Sequence, residues 1–278
     1  MPTLLDGRVG SSSQKRMNST SKYTFGDSDR AAERLKLLAQ AYEQASRALL
    51  SQCAPKHAEH AIDLGCGPGY TTRLVHEVLG ARCTTGLDSS ARYIEMAART
   101  PLPGARYVVH DVLATPYPIP PGDLLFCRHL LTHLPDPRAA LLAFSELARP
   151  GAVLLIQETE SLSACDAALS RYYECVASMQ AAHGQRTHVG PQLALACEAT
   201  PFRVESSSVR VLQQDARVMA RLHRMNLATW RHDERAKALL DASELDSLDT
   251  ALGRIETGET PAAPVENALR ELVLRRTS

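Results

Sequence analysis

The sequence predicts an α/β fold, doubly wound around a mostly parallel, seven-stranded sheet. Three observations predict it. Apolar runs of strand length alternate with segments of helical period from His60 to Glu158, the pattern of a parallel sheet covered on both faces. The first run, His60-Ala61-Ile62-Asp63-Leu64, opens directly into Gly65-Cys66-Gly67-Pro68-Gly69, where glycines at every second position let backbone approach a ligand closely. The second run, Cys83 to Leu87, closes on Asp88, nineteen residues after Gly69. An acid at that place suits the hydroxyls of a ribose at the carboxyl end of the sheet.

The elements follow in order. Residues 1–20 include Gly10-Ser11-Ser12-Ser13 and no periodic apolar pattern, and read as a disordered tail. Asp27 or Ser28 can cap a helix from about 29 to 52, in which Leu35, Leu38, Ala39, Tyr42, Ala45 and Leu49 recur at helical spacing. Strands are expected at 60–64, 82–87, 106–110, 123–127 and 152–157, and helices at 70–79, 90–99 and 136–148. Arg149-Pro150-Gly151 stops the last of these helices and leads into the fifth strand. Beyond Glu158 the pattern turns helical: 163–183 and 190–199, then a strand at about 202–211, then helices at 215–231 and 234–254. The closing segment from Asn267 to Arg275 fits either helix or strand on its residues alone.

Composition narrows the function. The 278 residues carry a formal net charge of zero, so no basic field exists to neutralise a nucleic-acid backbone. No apolar run approaches the roughly 18–20 residues of a membrane span, and no apolar segment near the start reads as a secretory signal. Seven cysteines are scattered without a C-x-x-C pair, which supports neither a metal site nor a disulfide framework and fits a cytoplasmic protein. A dinucleotide fingerprint would need a third glycine where Tyr70 stands, which counts against a nicotinamide-dependent oxidoreductase. No Lys-Ser/Thr pair follows the loop, so it is not a P-loop.

The D-x-G-x-G-x-G loop followed by an acid that ends the second strand resembles the class I, Rossmann-like S-adenosylmethionine (SAM)-dependent methyltransferases, of the small-molecule, specialised-metabolite type. The resemblance runs from about Tyr23 to the C-terminus and is strongest over Ile62–Glu158. It implies an antiparallel final strand at Asn267–Arg275. It also implies an N-terminal helical lid over 21–59, a SAM-binding core over 60–160, and a remainder, 161–278, that adds a helical substrate cap at about 161–188 and 213–264. The implied reaction moves the methyl group of SAM to an oxygen or nitrogen of a small molecule, as in natural-product biosynthesis, and leaves S-adenosylhomocysteine. The alternative is a SAM-binding sensor or partner subunit that transfers nothing. A monomer or homodimer is expected, with no nucleic-acid or membrane partner.

The site residues divide by chemistry. For the cofactor, the resemblance implies the loop Gly65, Cys66, Gly67 and Gly69, with Asp63 orienting it toward the SAM amino group. Asp88 and Ser89 face the ribose. His110, Asp111 and Val112 face the adenine, where a carboxylate suits an exocyclic amine; the competing reading of Asp111 is an Asx turn. Tyr23 covers the cofactor and Arg34 pairs with its carboxylate, while backbone at Arg128 approaches the methionine moiety. His129 and His133 lie in a segment ending His133-Leu134-Pro135-Asp136-Pro137. Either can serve as a general base, or tie the loop to the sheet. Glu158, Tyr172, Tyr173 and Asn226 are expected to meet the acceptor, with His183 and His188 as further pocket candidates and Trp230 as core. No metal is expected.

Overall fold

The computed structural model describes residues 28–234, 237 and 241–277. Seven strands form one sheet in the order β3-β2-β1-β4-β5-β7-β6. They are β1 (His60–Leu64), β2 (Cys83–Asp88), β3 (Ala105–Val109), β4 (Gly122–Arg128), β5 (Ala148–Ser163), β6 (Phe202–Gln214) and β7 (Val265–Arg276). The first five run parallel, and β7 lies antiparallel between β5 and β6. The expected fold class and the antiparallel last strand are both present. Strand order reverses between β1 and β4, so the crevice beyond their carboxyl ends is where a ligand fits such a sheet.

Parallel strands covered on both faces need apolar side chains in succession. In β4, Leu124 and Phe126 pack with Leu74 and Val75 on one face, while Leu125 and Cys127 pack with Leu141 and Phe144 on the other. These residues are almost completely buried, each side chain worth about 1.5–3 kcal/mol of transfer free energy. The covering helices are α1 (Asp29–Cys53), α2 (Tyr70–Leu79), α3 (Ala91–Ala98) and α4 (Pro137–Leu147). Ser28 caps α1 by accepting from the Ala31 N–H at 3.2 Å, which settles the choice between Asp27 and Ser28 left by the sequence.

Three further helices build a second apolar cluster of their own: α5 (Ala167–Ala182), α7 (Ala216–Trp230) and α8 (Ala242–Thr257), with the short α6 (Leu193–Ala196) placed apart on the core near α4. Tyr172, Val176, Met219, Leu227, Trp230, Leu248 and Leu252 fill the three-helix cluster. It rests on an extension of β5 and β7 beyond the parallel sheet, where Ser161–Ser163 pair with Glu266–Ala268. That extension explains two differences from expectation. The polar stretch Glu158–Ser163 is strand, because it is held by the β7 ladder rather than by apolar alternation. For the same reason the following helix starts at Ala167 rather than at 163. The expected helix over 190–199 is a 3-10 turn, Gly190–Gln192, followed by the single turn of α6.

Candidate active site

The glycine loop joins β1 to α2 at the centre of the crevice. Gly65, Gly67 and Gly69 all have left-handed backbone, with φ of +69°, +52° and +86°, a region that side-chain-bearing residues rarely adopt. A Cβ at Gly69 would stand 2.8 Å from the Tyr107 ring, whereas one at Gly67 would meet only Leu35 of α1, at 3.5 Å. Gly67 is thus the less crowded of the two positions, packed under Leu35 at ordinary contact distance. Cys66 is buried, and its N–H donates to the Leu87 carbonyl at 2.9 Å. Gly86 leaves room for the Cys66 sulfur, which would stand 2.8 Å from a Cβ there.

Two carboxylates hold this loop. Asp88 accepts the Gly67 N–H on Oδ2 and the Ser90 N–H on Oδ1, both at 2.8 Å. Asp63 is buried and accepts the hydroxyls of Thr71 and Thr72 at 2.6 and 2.7 Å, tying the loop to the first turn of α2. Burial raises the Asp63 carboxyl to about 6, against the pull of the two threonines and of Arg128. Ser89 is exposed between the two elements. Beyond β3, His110 sits by the Ala114 carbonyl at 2.7 Å. Asp111 accepts the Leu113 N–H at 2.9 Å, closing the Asx turn, with its second oxygen Oδ2 taking no part in that bond. The Val112 side chain belongs to the core, so only its backbone is available to a ligand.

The segment after β4 is held from below by Glu158. That residue is fully buried, and its Oε1 accepts the N–H groups of both Leu130 and Leu131 at 2.7 Å. Burial lifts its carboxyl to about 7, opposed by those backbone donors. Glu158 thus props the loop, where the sequence placed it against the acceptor. His129 takes a left-handed backbone, φ 51°, which turns the chain sharply and sets its ring edge-on to Tyr42, centroids 4.8 Å apart. Burial, and after it the charge of Arg128, lowers His129 to about 3; burial lowers His133 to about 4. Both rings are neutral near pH 7, as a general base must be. A conjugate acid that weak gives little driving force for taking a proton, so burial counts against the base role expected of either histidine.

Above that segment, α1, α5 and α7 enclose a polar cluster. Arg34 of α1 is buried, and its charge acts on His129, His133, Tyr172 and His223. His223 stacks on Tyr172 with centroids 4.0 Å apart and meets the Tyr173 hydroxyl at 3.2 Å. One turn on, Asn226 donates to the Tyr172 hydroxyl at 2.7 Å. Buried atoms without a hydrogen-bond partner remain on His129 (Nε2), His223 (Nδ1) and Asn226 (Oδ1). Trp230 is core, as expected. His183 bonds the Met179 carbonyl and faces Asp233, away from this cluster.

A buried hydrogen-bond chain fixes Arg128. The guanidinium donates to Ser46 Oγ at 2.9 Å, Ser46 donates to Gln157 Oε1 at 2.6 Å, and Gln157 donates to Glu271 Oε1 at 2.8 Å. Glu271 is gripped in turn by Arg210, at 2.8 and 3.0 Å. The chain crosses from β6 through β7, β5 and α1 to the end of β4. Its middle members, Ser46 and Gln157, are fully buried.

The structure thus gathers Asp63, Gly65, Cys66, Gly67, Gly69, Asp88 and Ser89 at one end of the crevice, with His110, Asp111 and Val112 beside them. Arg34, His129, His133, Tyr172, Tyr173 and Asn226 gather at the other. Tyr23 lies outside the described residues. The sequence reading did not single out Thr71, Thr72, Ser46, Gln157 or His223. His223 and Asn226 could have been found: they interrupt the apolar face of α7 marked by Met219, Ala220, Leu227 and Trp230, where a periodic stripe calls for apolar side chains.

A sheet of this order, with a glycine cradle and acids at the ends of β1 and β2, defines an α/β protein built around a nucleotide-type ligand. Residues 33–207 match the family described as methyltransferase domain, and the chain belongs to it, among the class I SAM-dependent methyltransferases. Trans-aconitate 2-methyltransferase of Rhizobium etli is 41% identical over 117 residues, 42% of this chain and 45% of that protein. The Agrobacterium fabrum protein of the same name is 34% identical over 117 residues, with 42% and 45% covered. The chain therefore spans less than half the length of these relatives. Among solved structures, the [4+2]-cyclase SpnF superposes with a TM-score of 0.52 at 16% identity, covering 86% of this chain and 82% of that one. The cyclopropane synthase MmaA2 from Mycobacterium tuberculosis gives 0.52 at 14% identity, covering 84% and 83%. At such identities the likeness is one of fold.

Proposed function

We propose that the protein transfers a methyl group from SAM to an oxygen or nitrogen of a small molecule in natural-product biosynthesis, acting in the cytoplasm as a monomer or homodimer. The observation that carries this reading is the glycine cradle: three left-handed glycines, tied to Asp88 through the Gly67 N–H at 2.8 Å. The residues suit the cofactor. Asp88 and Ser89 are placed for ribose hydroxyls, Asp111 and the Val112 backbone for adenine, and Gly65, Cys66, Gly67 and Gly69 for the sulfur-bearing arm. Asp63, Arg34 and Arg128 fit the amino and carboxyl groups of its methionine end. SAM supplies a methyl group already activated on a sulfonium.

The chain's own work is then to bind, orient and exclude water. In this reading α1 is the lid. Its first turns are tied down by Asp29–Arg92 and Glu33–Arg221, both at 2.8 Å and both solvent-exposed, so water screens these contacts and they hold the helix only weakly. Helices α5, α7 and α8 form the substrate cap. His129 and His133 position the acceptor rather than remove its proton. The relatives' name, trans-aconitate 2-methyltransferase, supports a small-molecule acceptor.

Incubating the protein with SAM and a panel of small oxygen and nitrogen acceptors tests the reading. Acceptor-dependent release of S-adenosylhomocysteine is expected. A second reading is kept because a neighbour of this fold is a [4+2]-cyclase: a SAM-binding protein that transfers no methyl. Tight S-adenosylhomocysteine binding without turnover on any acceptor would favour it.

A further inference from the structure

We infer that Ser46 of α1 and Gln157 of β5 are positioning residues for the cofactor: they aim the Arg128 guanidinium at the carboxylate of its methionine end. The inference rests on the cofactor role proposed above for Arg128 and adds the residues through which that role is set. Among the described residues Arg128 forms no ion pair, and its side chain makes one hydrogen bond, to Ser46 Oγ at 2.9 Å. A guanidinium has five N–H donors, so most remain for a ligand. Arg128 lines a cleft of about 210 Å³ between α1 and α2, beside Thr71. Burial, opposed by the charge of Asp63, lowers its guanidinium to about 10. Asp63 itself spends Oδ2 on Thr71 and Thr72. A cation largely withdrawn from water and without an ion-pair partner gains most from an anionic ligand.

The direction of every bond in the chain behind Arg128 is fixed. Glu271 receives Arg210 on both oxygens, at 2.8 and 3.0 Å, and an ionised carboxylate only accepts. Gln157 must therefore turn its amide N–H toward Glu271, at 2.8 Å, and its oxygen toward Ser46. With the amide reversed, two acceptors would meet at Glu271. The Ser46 hydroxyl must then spend its proton on Gln157, at 2.6 Å, and present a lone pair to Arg128. Ser46 lies on the face of α1 that also buries Tyr42, Ala45, Leu49 and Leu50, and Gln157 follows the buried apolar run Val153–Ile156 of β5. Apolar side chains at both positions would serve packing as well as a polar pair does. What the polar pair adds is an orientation, delivered to the guanidinium at the end of β4.

The test is calorimetry on the full chain with two probes: S-adenosylhomocysteine, and 5′-methylthioadenosine, which keeps the adenosine and the sulfur but lacks the amino-acid end. The wild type is expected to prefer S-adenosylhomocysteine by about tenfold or more. Gln157→Leu and Ser46→Ala should each weaken S-adenosylhomocysteine at least about fivefold and leave 5′-methylthioadenosine within about twofold. On an Arg128→Met background, Gln157→Leu should change S-adenosylhomocysteine affinity by less than about twofold, since its effect runs through Arg128. Equal weakening of both probes, as a purely structural role would give, overturns the inference. So does unchanged binding in both single variants, or a loss that adds to that of Arg128→Met. Arg210→Met changes only the sheet edge and decides if the buried variants fail to fold: a loss of about threefold for S-adenosylhomocysteine alone is expected, and no selective loss overturns the inference. A wild type that binds both probes alike overturns the inference and leaves the cofactor reading standing; one that binds neither overturns both.

Discussion

The two ends of the crevice are made differently. The end at β1 and β2 is built from backbone: three glycines, the N–H groups of Gly67 and Ser90, and carboxylates that bind those groups. The end under the cap is built from side chains: Arg34, three histidines, two tyrosines and an asparagine, drawn from α1, the loop after β4, α5 and α7. Backbone recognition tolerates little change in sequence and presents one fixed shape. Side-chain recognition can be rewritten one residue at a time. A fold that keeps its cofactor and varies its acceptor would divide the labour in this way.

The contrast can be broken most directly at the backbone end. Gly67→Val puts a branched side chain into a left-handed position and into the space beneath Leu35. S-adenosylhomocysteine binding should fall by about a hundredfold or more, some 2.7 kcal/mol. Near-normal binding by calorimetry would make the loop a mere turn.

Asp88→Ala should come next. It removes the acceptor for two loop N–H groups together with any ribose contact. Hydrogen bonds to a charged group are worth about 1.5–3 kcal/mol each, so a loss of at least about tenfold in cofactor affinity is expected in a folded protein. An unchanged affinity would move the ribose away from β2.

Glu158→Gln sharpens the comparison from the other end, because the amide oxygen can still accept from Leu130 and Leu131. The Glu158 carboxyl is raised in the folded protein from 4.5 to about 7. Between those values the native state holds a proton that the unfolded chain has released, so this group lowers stability as pH rises through that window. The melting temperature of the glutamine variant should therefore gain on the wild type between about pH 4.5 and 7. A constant difference across that range would show Glu158 charged throughout.

The smallest effect is expected at the histidines. His129→Asn and His133→Asn should change kcat by no more than a few-fold, and the wild-type rate profile should lack a limb near the ordinary histidine value of about 6.5. A limb there that disappears in one variant would restore that histidine as the base.

How much was legible in the sequence follows the same division. The glycine loop, its flanking strands and Asp88 span fewer than thirty consecutive residues, so spacing alone reveals them. The antiparallel β7 came from resemblance, since Asn267–Arg275 fits two periods equally, and the strand order was not read from the sequence at all. The cap cluster was half visible. Arg34, Tyr172, Tyr173 and Asn226 were marked, yet nothing in one dimension brings residue 34 to residue 223. Glu158 was expected at the end of the fifth strand and against the acceptor; it lies inside β5 and bonds two loop N–H groups, because a buried carboxylate takes the nearest donors first. The outer half of β5 was missed because its partner, not its own pattern, makes it a strand.

The hydrogen-bond chain from Arg128 to Arg210 has a bearing on the order in which the protein becomes competent. Protein chains are made from the N-terminus, and the glycine loop with both its acids is complete once Asp88 has been synthesised. Arg128, however, is seated by Ser46, Ser46 by Gln157, and Gln157 by Glu271, which stands near the end of the last strand. The nascent chain can therefore shape its cofactor loop early, but the guanidinium beside it reaches its final seat only when β7 slides between β5 and β6. Strand β7 thus acts as the keystone of a site whose glycine loop and two acids were made some 180 residues before.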